Sequence, residues 1–284
     1  MQRVLFLFLL LSVFAVASAS AQSMVTVPSL DRRDGGAVPL PSYWFVAASG
    51  ADGAPRPAVV LLHGCGGLLD AKGRLGQRLI TYAKMLNADG MHALAVDSLT
   101  PRGEKELCTQ RTGTRRLTQA NRRLDALGAL QWLAAQPGVN GKRLALLGWS
   151  NGGSTALAAS NRLHPDVARA AVTPRATVAF YPGCEAELAR RYAAVGSTLL
   201  LVGEKDDWTP AAPCVALASV AGSALKIIVY PDAYHGFDGN AALRVRTEVP
   251  NGVKPGQGVT VGGNPAARQA SQLELLTSLR EQLR

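Results

Sequence analysis

Short uninterrupted apolar runs alternate along most of this chain with stretches in which apolar residues recur every three or four positions. Ala58-Val59-Val60-Leu61-Leu62 is the first such run, of strand length, and it ends in the Gly-rich turn His63-Gly64-Cys65-Gly66-Gly67. Its lack of alternation marks a strand covered on both faces. Residues 75–88 then set Leu79, Tyr82, Ala83 and Leu86 at helical spacing, and Gly90 stops the helix. Residues 91–96 predict the next strand, ending at Asp97. A long polar loop, 98–116, leads into an amphipathic helix over 117–136, with Leu117, Ala120, Leu124, Leu127 and Ala134 on one face and Pro137-Gly138 at its end. Further strands are expected at 143–147, 177–181, 198–202 and 225–230, separated by helices at 151–163, 185–192 and 210–221. The last helix, 265–283, carries Ala270, Leu273, Leu276 and Leu279 as one buried stripe. Ahead of all this, a Pro/Gly-rich part from 28 to 57 yields one edge strand, 42–47. Such an order calls for a mostly parallel sheet with helices on both faces, the α/β class.

No internal repeat or composition break divides the sequence, so residues 22–284 are expected to form one domain. Between Phe237 and Asn264 lies a Gly-rich stretch with Arg244, Arg246 and Lys254, too long for an ordinary connection and therefore a candidate functional loop.

The first 21 residues stand apart. Met1-Gln2-Arg3 is a short basic start, an apolar run from Val4 to Ala17 follows, and Ala19-Ser20-Ala21 is a small-x-small cleavage site. The run is shorter than the roughly 20 residues that span a bilayer. Residues 1–21 therefore read as a signal peptide, without a stable membrane anchor, and the protein as periplasmic or secreted. Export permits disulfides among Cys65, Cys108, Cys184 and Cys214. Of the three pairings, Cys65–Cys108 and Cys184–Cys214 are favoured, because each joins loops that follow strands expected to be neighbours. The second closes a loop of about 30 residues, worth roughly 3 kcal/mol. Four buried free thiols are the alternative. The cysteines lack the spacing of a zinc site.

Lys and Arg number 30 against 20 Asp and Glu, for a formal charge of +10. Alone this would fit an anionic partner such as nucleic acid. Aromatic residues make up only 6%, however, and no basic run alternates with them, which argues against a stacking platform for single strands.

The chemistry gathers at strand ends. Gly148-Trp149-Ser150-Asn151-Gly152 matches Gly-x-Ser-x-Gly directly after one predicted strand and before a helix, the setting that projects a serine hydroxyl above a sheet. A serine needs a base to take its proton and an acid to orient that base, in the chain order Ser, acid, His. Of four histidines, His63 and His92 precede Ser150, and His164, beside a Pro at a helix end, reads as a surface residue. His235 remains, on the turn after the last strand. The preceding strand ends in a loop with two aspartates, Asp206 and Asp207, the second of which could be a solvated neighbour or the helix cap before Pro210; Asp232 is a weaker candidate outside that loop. Backbone N–H groups of Asn151 and Cys65 are the candidate oxyanion donors. The turn 63–67 lacks the Lys-Ser/Thr ending and the GxGxxG spacing of a phosphate cradle.

Taken together, Leu62-His63-Gly64-Cys65-Gly66-Gly67, Asp97 with Pro101-Arg102-Gly103, Gly148 to Gly153, Gly203-x-x-Asp206-x-x-x-Pro210 and His235-Gly236-Phe237 resemble the dienelactone hydrolase family of α/β-hydrolases, in order and over nearly the whole chain after residue 21. The resemblance implies a three-layer α/β-hydrolase fold with an eight-stranded type of sheet, no metal or organic cofactor, and the triad Ser150, Asp206 and His235. The spacing to Pro210 favours Asp206 over Asp207. It also implies hydrolysis of a small-molecule ester or lactone. The basic excess then reads as a solvated surface and no nucleic-acid partner is expected; a monomer or small homo-oligomer is expected. Namesake members carry a cysteine nucleophile where this chain has Ser150, which shifts the expectation from lactones toward carboxylic esters in general. They also hold a substrate carboxylate with arginines, so Arg102 is a candidate anion clamp, and Trp149 a further candidate substrate contact. A peptidase or acyltransferase with the same triad, and a binding protein on a hydrolase scaffold, are the alternatives.

Overall fold

A computed structural model describes residues 21–48 and 53–284; the leader expected over residues 1–21 therefore lies, but for Ala21, outside the described residues. Strands Ala21–Arg33 (β1), Gly36–Val46 (β2), Arg56–Leu62 (β3), His92–Val96 (β4), Val139–Trp149 (β5), Ala176–Phe180 (β6), Ser197–Gly203 (β7) and Leu225–Tyr230 (β8) form one sheet in the order β1-β2-β4-β3-β5-β6-β7-β8. From β4 to β8 every neighbouring pair is parallel, while β1 with β2 and β2 with β4 are antiparallel. The helices are Gln77–Ala88 (α1), Gln119–Ala134 (α2), Asn151–Ser160 (α3), Pro165–Ala168 (α4), Glu185–Arg190 (α5), Ala211–Ala221 (α6) and Pro265–Gln282 (α7). A short hairpin of Arg244–Arg246 (β9) and Val259–Val261 (β10) stands within the 238–264 segment.

The apolar strands are two-sided. In β3, Val59 and Leu61 pack with Leu79, Tyr82 and Leu86 of α1 and Leu275 and Leu279 of α7. Ala58, Val60 and Leu62 point the other way, onto Ala126, Leu127 and Leu130 of α2 and Ala156 of α3. The period-two side-chain alternation of a strand thus feeds two cores, one on each face of the sheet. At the β8 edge Leu200, Val202 and Leu217 build a third apolar cluster with both partners of the Cys184–Cys214 disulfide.

The N-terminal part corrects the sequence expectation. Segment 42–47 is no edge strand: β2 runs from Gly36 to Val46 and is paired on both sides. The edge belongs to β1, which mixes polar and apolar residues as a half-exposed strand does. Its register shifts between Pro28 and Arg32, where a residue without an N–H is tolerated because one side of the strand has no strand partner among the described residues. His164 is likewise not at the surface. It is buried, its Nε2 3.0 Å from Glu187 Oε1, in a polar cluster where Asn161 also donates to Glu187 at 2.6 Å. Among the described residues no helix is long and apolar enough to cross a membrane.

Candidate active site

Strand β5 delivers its last residues to a turn that only particular side chains permit. Ser150 has φ 55° and ψ −119°, a strained conformation for a non-glycine residue, between β5 and the first turn of α3. A Cβ on Gly148 would overlap the carbonyl of Gly152, and one on Gly152 would overlap the carbonyls of Leu62 and His63. Both glycines are therefore demanded by close backbone approach, and the serine between them is lifted clear of the sheet.

The Ser150 hydroxyl donates to His235 Nε2 at 2.9 Å, and His235 Nδ1–H donates to Asp206 Oδ2 at 2.8 Å. A carboxylate can only accept there, so it fixes the imidazole tautomer that leaves Nε2 free to receive a proton. Asp206 is itself held: Oδ1 accepts the N–H groups of Trp208 (2.9 Å) and Thr209 (2.8 Å), and the Thr209 hydroxyl lies 3.1 Å from Oδ2. Rings of Tyr181 and Trp208 lie with centroids 4.6 Å from that of His235. His235 and Asp206 are both almost fully buried, with 4% of their surface exposed.

The other expected residues fall into place differently. The turn 63–67 lies against Ser150, and Cys65 lies in the cleft wall, joined to Cys108 by a disulfide, while its carbonyl accepts the N–H of Leu107 at 2.7 Å. Asn151 opens α3. Asp207 is half-buried and caps no helix, the N-cap before Ala211–Ala221 being Pro210; its carboxylate accepts the N–H and hydroxyl of Thr260. Asp232 is exposed and paired with Lys205.

Arg102 is a correction. It does not line the cleft: its guanidinium is buried under β1 and α2, 2.7 Å from both Asp31 and Asp125, and donates to the carbonyl of Ser98 at 2.8 Å. The sequence could not show this, because its partners lie 71 residues before it and 23 after.

The cleft above Ser150 has a volume of about 710 Å³. Trp149 reaches it, with its indole N–H given to Asp238 at 3.0 Å. Asp238 was missed from the sequence, although it directly follows the His235-Gly236-Phe237 turn. Its buried carboxylate also accepts from the Tyr181 hydroxyl (2.6 Å) and Arg78 Nε (3.1 Å). Burial, with Asp238 adding to it and Arg78 partly opposing, holds the Tyr181 phenol well above the usual tyrosine range. Arg244, Arg246 and Arg268 stand at the rim, and the Arg246 guanidinium lies 5.4 Å above the Trp208 ring. The basic excess is thus partly concentrated around the cleft, as a rim rather than at Arg102.

The sequence profile of the dienelactone hydrolase family matches residues 45–250. The chain belongs to the dienelactone hydrolase family. It is a hydrolase acting on ester bonds, with the mostly parallel α/β-hydrolase sheet of that family. Three solved structures share the fold. The dienelactone hydrolase of Anabaena variabilis is 20% identical, with 93% of this chain and 99% of that one covered and a TM-score of 0.64. A dienelactone hydrolase-like promiscuous phosphotriesterase from metagenomic libraries is 21% identical over 93% and 100%, with a TM-score of 0.63. Esterase 2 of Thermogutta terrifontis, phosphoramylated by tabun, is 17% identical over 90% and 92%, with a TM-score of 0.62. Comparison with curated proteins returns no match.

Proposed function

We propose that this family member is an exported serine hydrolase that cleaves carboxylic esters or lactones through an acyl-enzyme on Ser150. The observation that carries this is the unbroken hydrogen-bonded chain Ser150–His235–Asp206, at 2.9 and 2.8 Å, opening into the cleft. His235 Nε2 takes the hydroxyl proton as Ser150 Oγ bonds to the ester carbon. The N–H groups of Cys65 and Asn151 hold the resulting oxyanion. His235 then returns the proton to the leaving alkoxide as the C–O bond breaks. Water repeats the sequence: it loses a proton to His235, bonds to the acyl carbon, and releases the acid and the Ser150 hydroxyl. No residue in this scheme needs a metal or an organic cofactor. The names of the structural neighbours, an esterase phosphoramylated by tabun and a promiscuous phosphotriesterase, support both the ester substrate and the use of an organophosphorus probe.

Export rests on the leader at residues 1–21 and is supported by two disulfides in a chain with four cysteines. The working unit is then residues 22–284. A fluorophosphonate probe should label the wild type and not Ser150→Ala; equal labelling of the two folded proteins would remove the mechanism.

A further inference from the structure

Arg122 is 1% exposed, yet no carboxylate forms an ion pair with it among the described residues. The nearest acids are already engaged. Asp125 receives Arg102 at 2.7 and 2.9 Å and the Ser29 hydroxyl at 2.5 Å. Asp97 accepts the N–H groups of Leu99 and Thr100 at 2.9 and 3.1 Å. Burial pulls the Arg122 guanidinium down to about 10, only partly offset by Asp125 and Asp97, and Arg102 adds to the repulsion. Its Nε has no acceptor among the described residues. Ala126 and Leu130 are buried one and two turns further along α2, and an apolar residue at 122 would avoid the cost of desolvating a cation.

What the guanidinium does touch accounts for its place. Nη1 donates to the Asn151 side-chain oxygen, and Nη2 donates to the carbonyl of His63 at 2.8 Å. Three residues earlier on the same face of α2, Gln119 Nε2 donates to the carbonyl of Asn151 at 3.1 Å, and its Oε1 accepts the Thr155 hydroxyl at 2.7 Å. One turn of α2 therefore grips both segments that carry the candidate oxyanion donors, the turn leading to Cys65 and the start of α3. The two segments already meet where Gly152 lies against the carbonyls of Leu62 and His63. A planar fork that spans both, where a lysine would reach one acceptor, sets their separation.

We propose that Arg122 is a positioning residue for ester hydrolysis, fixing the spacing of the Cys65 and Asn151 N–H groups that receive the oxyanion. This rests on Ser150 being the nucleophile. The role concerns the tetrahedral state, so it separates from substrate binding.

The test compares wild type, Arg122→Met and Arg122→Lys with p-nitrophenyl acetate as substrate and phenylboronic acid, which forms a tetrahedral adduct on an active serine, as inhibitor. Arg122→Met should lower kcat about 100-fold, with KM changed by less than about threefold and boronate affinity falling in step with kcat/KM. Arg122→Lys, which retains one of the two contacts, should lose about tenfold in kcat. Wild-type kcat and boronate affinity in a folded Arg122→Met protein, or a rise in KM alone, would overturn the inference. Should Arg122→Met fail to fold, Arg122→Lys decides, and unchanged kcat in it has the same meaning. Ser150→Ala is run in parallel. Turnover that requires Ser150 but ignores Arg122 removes only this inference; turnover independent of Ser150 removes the reading beneath it.

Discussion

Asp207 and Thr260, 53 residues apart, are joined twice: the aspartate carboxylate accepts the Thr260 N–H at 2.7 Å and its hydroxyl at 2.8 Å. The N–H of Val253 also donates to the Asp207 carbonyl at 2.8 Å. Asp207 thus ties the 238–264 arm to the loop that carries Asp206, the proposed triad acid, and the two adjacent aspartates have different partners. Asp206→Asn should lower kcat by about 10⁴, as expected when the imidazole loses its orienting carboxylate. Asp207→Ala should act mainly through KM, raising it roughly tenfold while fluorophosphonate labelling of Ser150 persists. Steady-state kinetics of both variants separate the two roles, and equal kcat losses would contradict them.

Arg102 should behave as a structural hub. Replacing it by Met leaves Asp31 and Asp125 without their cation, and breaking a buried pair in this way costs on the order of 3–5 kcal/mol. Urea unfolding of Arg102→Met should show that loss, whereas KM for acidic and neutral esters should shift equally at a temperature where the variant is folded. A selective rise for acidic esters would return Arg102 to the substrate.

The two disulfides should differ in kind. Cys184–Cys214 sits in an apolar cluster at the far edge of the sheet, so replacing both cysteines by Ala should cost about 3 kcal/mol of stability and leave kcat intact in the folded fraction. Cys65–Cys108 joins the 63–67 turn, proposed to supply an oxyanion donor, to the 98–116 loop, so its double Ala variant should lose kcat as well. Thermal denaturation paired with ester turnover distinguishes them.

His63 makes acid a destabilising agent. Burial, reinforced by Arg122, holds its imidazole well below the ordinary 6.5. The unfolded chain then binds a proton that the folded one refuses, so stability is lost as pH falls from about 6.5 toward the lowered folded value and is flat above 6.5. Urea midpoints measured between pH 8 and pH 5 should decline for the wild type and less steeply for His63→Gln.

Legibility in the sequence followed the range of the interactions. Uninterrupted apolar runs such as 58–62 and 198–202 identified the parallel strands because burial on both faces leaves no polar alternation. Strand β1 escaped, since Ala21–Arg33 alternates unevenly around Pro28 and becomes a strand only by pairing with β2. His164 read as exposed because its partner, Glu187, arrives from a later helix.

From the sequence by itself came the elbow around Ser150, the order Ser150, Asp206, His235, and the family those residues resemble, because each depends on turn chemistry and spacing within a few residues. Tertiary structure alone decided where the charged side chains go: that Arg102 is locked between Asp31 and Asp125, that Asp207 holds Thr260, that Asp238 gathers Trp149, Tyr181 and Arg78, and that Arg122 reaches the carbonyl of His63. A buried charge must find partners wherever the fold supplies them, and those partners lie too far along the chain for any local pattern to announce them.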